Sequence, residues 1–261
     1  MLLPRIIPCL LVCNNGLVKT VSFSSAKYVG DPINAVKIFN EKEVDELIVL
    51  DINATVIGRD PDYRMIENLA TESRMPLCYG GGVNSVSHAQ TIVGLGVEKV
   101  AIGAHAVSNP SIIAEVANAI GSQSVVVVID VKRNSAGKPV VFTHNGKHDT
   151  GVDPVEFAQI AEGLGAGEIL VNSIDNDGQM KGYDLALVDS IRQVTSLPMT
   201  VLGGAGSLND IGELFSRFGI IGAGVGSLFV FKGVYKAVLI NYPSVEERER
   251  LIQKRRRVGF E

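Results

Sequence analysis

Short apolar runs alternate with longer amphipathic segments along most of this chain. A continuous apolar run such as residues 125–130 is typical of a strand covered by helices on both faces, whereas apolar positions every three to four residues, as in residues 32–40, predict a helix. The predicted strands are residues 5–12, 46–52, 77–79, 99–102, 125–130, 169–172, 199–202 and 220–225. The predicted helices are residues 32–40, 63–71, 86–94, 108–120, 154–164, 185–194 and 208–218. Eight strand–helix units favour a (βα)8 barrel over an open doubly wound sheet.

The same pattern is duplicated within the chain. Glu46 and Glu168 begin two similar segments 122 residues apart, and Met75 and Leu197 keep the same spacing. A repeat of that length is half of a domain rather than one unit of a solenoid. We therefore expect a single α/β domain over residues 1–261, a (βα)8 TIM barrel with a two-fold half-barrel repeat. The half-barrels are predicted at about 1–121 and 122–240, followed by a charged helix at about 244–257 whose basic end is interpreted as a solvated tail.

Two connections are longer than the rest. Residues 13–31 are predicted to form a polar loop after the first strand, a place where long loops are usually functional. Residues 132–150 contain the apolar stretch 140–142 between turn signals, which predicts a small hairpin above the barrel. Ser108 is the predicted cap of the helix that ends at Ile120.

Composition narrows the classes of function. The 24 basic and 28 acidic residues give a net charge of −4, so the bulk charge favours neither nucleic acid nor a membrane surface as a partner. The three cysteines, Cys9, Cys13 and Cys78, are too few and too irregular for a disulfide framework or a zinc site of paired cysteines. The apolar amino terminus is too short for a membrane span, which predicts a soluble protein. The cysteines are typical of buried thiols in the reducing cytoplasm, and we expect no metal and no cofactor.

Glycine-rich stretches follow four predicted strands, at the barrel end where active sites lie. Exposed glycine N–H groups can bind a phosphate, although glycines also simply make tight turns. Phosphate binding is favoured over the turn after the seventh and eighth strands, whereas the two interpretations are about equal after the third and fourth, where polar side chains are lacking. His105, just beyond the fourth strand, is a candidate substrate contact. The candidate phosphate-binding residues are Gly81, Gly82, Gly103, Ala104, Gly203, Gly204, Gly226 and Ser227.

Carboxylates stand at the same end of the predicted barrel. Asp130 ends the fifth strand, Asp51 ends the second, and Asp175 and Asp177 follow the sixth. A carboxylate there can act as a general acid or base, but loop or helix capping is the alternative for all except Asp130. Asp130 is the first candidate, because an acid at the end of a buried apolar strand is costly unless it is used. The repeat places Leu11 at the equivalent position of the first half, so one member of an acid–base pair is missing.

Four charged residues stand at the opposite end of the strands. Arg5, Glu46, Lys99 and Glu168 each begin a predicted strand, and the two acids are equivalent by the repeat. Charges on a barrel floor must pair with one another to be tolerated. From the residues alone, a structural ion-pair plug is slightly favoured over a gate.

Several motifs are spread over nearly the whole chain, among them Arg5-Ile-Ile-Pro-Cys-Leu, Gly80-Gly-Gly, Ser173-Ile-Asp-Asn-Asp-Gly and Gly203-Gly-Ala-Gly. Together they resemble the cyclase subunit of imidazole glycerol phosphate synthase. The resemblance implies that a glutaminase subunit docks on the barrel floor and that the four floor charges are an ammonia gate rather than a plug. It also implies that Lys19 contacts substrate and that the two glycine systems hold a ligand with two phosphates.

The resemblance implies a catalytic pair that is incomplete here. Its second aspartate falls on Asp177 and Asp130 is a supporting position, but Leu11 replaces the first, so the cyclase reaction should be severely impaired. Other stretches, among them Tyr28-Val-Gly-Asp-Pro-Ile-Asn and Gly226-Ser-Leu-Phe-Val-Phe, resemble a branch that serves acetamidino modification of surface-polysaccharide sugars with a glutaminase and a separate sugar amidotransferase. The expected function is therefore an ammonia-channelling subunit. A genuine cyclase of histidine biosynthesis and a non-catalytic phosphate-binding scaffold remain as alternatives.

Overall fold

A computed structural model of the chain describes residues 3–258, and its side chains are described through residue 253. Its strands are β1 (Arg5–Cys13), β2 (Gly16–Val21), β3 (Ser24–Gly30), β4 (Leu47–Asp51), β5 (Leu77–Gly80), β6 (Lys99–Ile102), β7 (Val125–Arg133), β8 (Pro139–Thr143), β9 (His148–Asp149), β10 (Glu168–Ser173), β11 (Met199–Leu202), β12 (Gly222–Val225), β13 (Phe231–Lys232) and β14 (Ala237–Val238). Its helices are α1 (Pro32–Glu41), α2 (Tyr63–Glu72), α3 (Val86–Gly94), α4 (Ala104–Ser108), α5 (Ser111–Ile120), α6 (Pro154–Gly163), α7 (Leu185–Arg192), α8 (Leu208–Phe218) and α9 (Val245–Val258).

Eight parallel strands close on themselves. The order around the barrel is β1, β4, β5, β6, β7, β10, β11 and β12, and β12 pairs again with β1. Helices lie between successive strands, so the predicted (βα)8 barrel is confirmed. Closure brings the carboxyl ends of all eight strands to one mouth and their amino ends to one floor.

The period of two along each strand divides the core into two layers. On β1, Ile6 and Leu10 point outward into the cluster between strands and helices, while Ile7, Cys9 and Leu11 point into the barrel. The barrel interior is therefore a packed apolar core and not an open pore.

The repeat extends to the helix caps. Asp31 and Asp153 cap α1 and α6, Asp62 and Asp184 cap α2 and α7, and Ser85 and Ser207 cap α3 and α8. Each side chain accepts a hydrogen bond from a backbone N–H two or three residues later, which satisfies a donor that the helix itself leaves free. The two members of every pair are 122 residues apart.

Two local predictions were wrong. Residues 13–31 do not form an irregular loop, because β2 and β3 build an antiparallel hairpin on the end of β1. Ser108 does not cap the long helix: it ends α4, its hydroxyl donates to the His105 carbonyl, and α5 begins after Pro110 without a side-chain cap. The hairpin predicted over residues 132–150 is present, with β8 antiparallel to the extended end of β7.

The carboxyl-terminal segment returns to the barrel. Helix α9 stands where the charged helix is predicted, and its Leu251 is buried against Gly212 of α8. The basic side chains from Lys254 to Arg257 lie outside the described side chains. No helix in the described part of the chain combines the length and hydropathy that a bilayer span requires.

Removing the side chain that caps α3 tests the stabilising role assigned to the helix caps. Ser85→Ala should lower the free energy of unfolding by about 1 kcal/mol, because the His88 N–H loses its acceptor. Ser87→Ala, at an exposed position inside the same helix, should leave stability unchanged or raise it slightly. Urea unfolding of both variants makes the comparison. Equal losses would show that the hydroxyl at position 85 does not act as a cap.

Candidate functional site

The carboxyl ends of the strands enclose a cavity at the barrel mouth. Leu11, Asp130 and Asp177, which the sequence predicted to lie together, all line it. The remaining wall is mixed: polar groups come from β10 and the two hairpins, and apolar groups come from β4, β7 and β11. Its other lining residues include Thr20, Phe23, Leu50, Asp51, Ile52, Gly80, Gly81, Ala101, Gly103, Ala104, Val128, Thr143, His144, Asn145, Asn172 and Leu202.

Asp130 occupies the end of an otherwise apolar line of inward-pointing residues on β7. Its Oδ1 accepts a hydrogen bond from Asn172 Nδ2 at 3.0 Å. Burial raises the pKa of Asp130 to about 7, and Asp177 adds to the rise while the bond from Asn172 opposes it. A carboxyl group with that pKa can both release and take up a proton near neutral pH.

Asp177 faces the same cavity from the loop after β10. Its Oδ2 accepts from the Thr20 hydroxyl at 2.8 Å and from the Phe23 N–H at 3.5 Å, so both partners belong to the β2–β3 hairpin. Burial raises the pKa of this carboxyl, although the Thr20 bond and the nearby Lys19 act in the opposite direction. The hairpin that sequence reasoning took for a loop is therefore what holds this candidate acid.

Leu11 is the structural counterpart of Asp130. Strand pairing sets Leu11 opposite Leu50 and Asp130 opposite Asn172, and Leu50 and Asn172 are 122 residues apart. Leu11 is only 9% exposed and packs in the apolar interior of the barrel. An aliphatic side chain cannot transfer a proton, so this side of the mouth offers packing where the other offers a carboxyl group.

The other two mouth carboxylates hold loops in place. Asp51 accepts through Oδ1 from the N–H groups of Asn53 and Ala54, and its Oδ2 pairs with Arg59 at 2.5 Å. Asp175 accepts from the Arg133 N–H at 2.9 Å. These are the capping roles that the sequence left open as alternatives.

The first glycine of each Gly-Gly pair is required by close packing. A Cβ on Gly81 would lie 2.4 Å from the Asp51 carbonyl oxygen, and a Cβ on Gly203 would lie 2.4 Å from the Ser173 carbonyl oxygen. Both residues also have positive φ, at 122° and 89°. Asp51 and Ser173 are themselves 122 residues apart, so the repeat preserves a backbone contact. Tight turning thus accounts for these two glycines, and phosphate binding by them stays a prediction.

A second glycine stands next to each of these turns. Gly103 precedes Ala104 and α4, and Gly226 precedes Ser227 and a short helical turn, Ser227–Phe229. The two glycines have nearly the same backbone angles, with φ of −110° and −100°. Neither turn has a side-chain cap, so no capping side chain accepts from its first N–H groups. Only the second turn adds a hydroxyl group, that of Ser227.

Lys19 points into the wall between β1 and β12. Its ammonium group donates to the Cys9 carbonyl at 2.7 Å and would lie 3.1 Å from a Cβ on Gly226. The side chain is buried, and burial lowers its pKa. Lys19 therefore stands beside the glycine turn that follows β12.

A polar lobe extends the mouth on the opposite side. It is reached past Gly81 and Gly103, and imidazoles of His105, His144 and His148 line it. His144 and His148 come from the β8–β9 hairpin, with ring centroids 6.0 Å apart. His105 thus has the mouth position that the sequence predicted, and His144 and His148 of the hairpin join it there.

The four charged residues predicted at the floor form a closed ring. Arg5 contacts Glu46 and also Glu168, the latter at 2.7 Å, while Lys99 contacts both glutamates at 2.8 Å. Each acid thus touches each base. The acids are almost fully buried and the bases partly exposed, so the positive groups form the outer surface of the ring.

Mutual pairing overcomes the cost of burying these charges. Burial opposes the charged forms of Arg5 and Lys99, but Glu168 and Glu46 outweigh it and raise the pKa of both bases. Burial of Glu168 is likewise outweighed by Arg5 and Lys99, and its pKa is lowered. All three groups therefore stay charged over a wide pH range.

Three polar residues that sequence reasoning missed complete these sites. Thr20 binds Asp177, Asn172 binds Asp130, and the Thr200 hydroxyl donates to Glu168 at 2.6 Å. Asn172 and Thr200 interrupt the apolar residues at inward positions of β10 and β11, and that break in alternation is the signal that could have identified them. Within the described residues, no cluster of three or more His, Cys, Asp or Glu is arranged to hold a metal ion.

Known proteins similar to this chain have a consistent description. A family model described as Histidine biosynthesis protein matches residues 5–236. A Leptospira interrogans protein, provisionally named imidazole glycerol phosphate synthase subunit HisF, is 54% identical over 96% of this chain and 99% of its own length. A Pseudomonas aeruginosa protein, provisionally named subunit hisF2 of the same synthase, is 51% identical over 93% of this chain and 97% of its own. Imidazole glycerol phosphate synthase subunit HisF of Lactococcus lactis is 40% identical over 88% of this chain and 89% of its own length.

The pKa of Asp130 predicts a pH-dependent effect of its replacement. A raised pKa means that the carboxyl contributes stability in its protonated form, and that contribution is lost as pH rises from about 4 through about 7. Asp130→Asn mimics the neutral form. Its free energy of unfolding relative to that of the wild type should therefore rise by about 1 to 2 kcal/mol between pH 5 and pH 8.

Urea unfolding at the two pH values measures this difference. Glu67→Gln, which neutralises an exposed carboxylate of α2 in the same way, is the control and should show no such dependence on pH. If Asp130→Asn gains nothing between pH 5 and pH 8, the carboxyl titrates at its ordinary pKa and is not poised for proton transfer.

Proposed function

The chain belongs to the histidine biosynthesis protein family, among HisF-like subunits of imidazole glycerol phosphate synthase, and on that premise we propose that it is an ammonia-channelling subunit. Ammonia released by a glutaminase partner at the floor passes through the barrel to an acceptor at the mouth. The observation that carries this proposal is the combination of a complete charged ring at the floor with Leu11 at the mouth. The charged ring suits the passage of ammonia, and Leu11 takes the place of a carboxylate that the cyclase reaction needs.

The barrel interior suits a small neutral molecule. Above the ring lie apolar or small groups, among them Ile7, Cys9 and Cys78. Burial raises the pKa of the Cys9 thiol to about 12, so it stays neutral. The interior is also narrow, because a Cβ on Gly222 would lie 2.2 Å from the Thr200 hydroxyl. Since the core is packed and the ring closed, entry of ammonia requires the ring to rearrange.

The groups at the mouth suit binding of an anionic ligand, but they supply only part of the acid–base pair that the cyclase reaction uses. Asp130 and Asp177 keep a proton-transfer group on one side, while Leu11 leaves the other side apolar. A phosphorylated small molecule is the proposed ligand, held by the glycine turns beside Lys19 and Ser227. A separate sugar amidotransferase then uses the delivered ammonia for acetamidino modification of a surface-polysaccharide sugar. This acceptor is proposed from the sequence motifs of that branch.

A genuine cyclase of histidine biosynthesis is the second candidate function. It is favoured by 40% identity to a relative named for that synthase and by the retention of Asp130 and Asp177 in one cavity. In this case Asp130, with its pKa near neutrality, would replace the missing strand β1 aspartate. The scaffold alternative, in which the mouth binds a phosphate ester without any ammonia traffic, requires only the glycine turns.

An ammonia-dependent cyclase assay separates the first two candidates. Wild-type turnover should be lower by about a hundredfold or more than that of Leu11→Asp, because general acid–base groups typically contribute factors of this size. Leu11→Asn, which is polar but cannot act as a base, is the matched control and should stay inactive. Substantial wild-type turnover that Leu11→Asp does not raise would favour the genuine cyclase and count against the conduit.

Binding of a glutaminase tests the proposed role of the charged ring at the barrel floor. The glutaminase subunit of the same organism should form a complex with this chain and hydrolyse glutamine roughly tenfold faster within it, a typical size for coupling between sites. Arg5→Met should weaken this stimulation, because it removes one base from the ring. Arg217→Met, an exposed change on the flank of α8, should not. Phosphate-ester binding without any effect on a glutaminase would instead favour the scaffold.

A further inference from the structure

The carboxyl-terminal segment reaches the floor beside the charged ring. The Tyr242 hydroxyl donates to the Ile6 carbonyl at 2.8 Å and accepts from the Asp45 N–H at 3.4 Å. Arg248 donates to Asp45 Oδ1 at 3.1 Å and to the Glu43 carbonyl at 3.2 Å. Asp45 Oδ2 accepts in turn from the Ile6 N–H at 2.9 Å. We call the set of Tyr242, Arg248, Asp45 and Ile6 the floor brace.

The brace is packed and not merely a surface contact. The Arg248 guanidinium lies over the Tyr242 ring at 5.4 Å, and that ring packs edge-on against Phe229 at 5.2 Å. The Arg248 side chain is only 16% exposed, so its ion pair with Asp45 is shielded from solvent more than an ordinary surface pair. Burial raises the pKa of the Tyr242 hydroxyl, which therefore remains a neutral donor.

Two members of the brace are chain neighbours of two members of the ring. Ile6 follows Arg5, and Asp45 precedes Glu46. Arg5 and Glu46 contact each other directly across the start of β1 and β4. Because Asp45 and Tyr242 bind both the N–H and the carbonyl of Ile6, they fix the backbone from which Arg5 projects. They also fix the backbone spacing between Arg5 and Glu46.

We propose that Tyr242 and Arg248 are positioning residues that hold the Arg5–Glu46 edge of the floor ring closed. Both lie beyond residue 236, where the match to the family model ends, so the feature is carried by the carboxyl-terminal segment. The contact network stands without reference to function, but the consequence that the brace controls ammonia entry rests on the proposed function. Loosening the brace frees Arg5 and Glu46 to separate, and Lys99 then loses one of its two carboxylate partners.

Lys99 reports the state of the ring without any partner protein. Glu46 and Glu168 both pair with its ammonium group, and the side chain is 19% exposed. An amine-reactive acylating reagent attacks only the neutral amine, so loss of a carboxylate partner should speed its modification. Lys37, which is 54% exposed on α1 and is not part of the ring, supplies an internal reference rate in the same molecule.

The experiment compares Arg248→Met with Arg250→Met in the full chain, by peptide mass spectrometry of timed acylation. Arg250 is exposed on the same helix and has only a 4.0 Å contact with Glu246, so its replacement is a matched control. Arg248→Met should raise the Lys99 rate relative to Lys37 by at least about fivefold, as expected for loss of a hydrogen-bonded charge. Arg250→Met should leave the ratio unchanged, and Arg248→Lys should recover part of the wild-type protection.

A second variant guards against a folding defect. Tyr242→Phe keeps the ring packed on Phe229 and removes only the hydroxyl that binds Ile6, so it should also raise the Lys99 ratio while thermal unfolding stays cooperative. The proposal is overturned if Arg248→Met and Tyr242→Phe destabilise the fold but leave the Lys99 ratio at the wild-type value. Glutaminase stimulation, measured separately, decides the proposed function: faster Lys99 labelling with no glutaminase response would support the brace and refute the conduit.

Discussion

Two buried glutamates at the floor of the barrel, Glu46 and Glu168, set the constraint on which the other floor residues depend. A carboxylate removed from water is costly unless opposite charges replace its hydration, and Glu46 and Glu168 each receive both Arg5 and Lys99. Because each acid is held by two bases, loss of any one member leaves an uncompensated charge. The ring is thus a single cooperative unit that closes the floor below the packed interior.

The energetic cost of burying a carboxylate is met differently at the mouth than at the floor. Among the described residues, Asp130 accepts a side-chain hydrogen bond from Asn172 alone, and burial raises its pKa to about 7, so the fold is less stable whenever this carboxyl is ionised. Leu11, its counterpart by strand register, carries no such cost. The duplication therefore retains paired charges at the floor, where they neutralise one another, and keeps only one costly carboxylate of the pair at the mouth.

Much of this architecture could be predicted from the pattern of residues. Runs such as Val125 to Asp130 identified the strands, and the 122-residue spacing identified the duplication before any contact was known. The hairpin of β2 and β3 was missed because its residues are polar and mostly exposed on β3, so no buried alternation marks the strand. Ser108 was misread since its hydroxyl can bond locally to His105 as readily as cap the next helix. Partners such as Asn172 and Thr200 become evident only when neighbouring strands are aligned.

The repeat also separates what folding requires from what chemistry requires. Helix caps at positions 31 and 153, and glycines at 81 and 203, recur because each solves the same backbone problem in both halves. The turns at Gly103 and Gly226 share a conformation, yet only the second offers a hydroxyl and a nearby ammonium, from Ser227 and Lys19. Conformation is thus conserved between the halves while polar side chains are not. An anion should consequently bind unequally at the two turns, and the side of β11 and β12 is where backbone, hydroxyl and ammonium groups coincide.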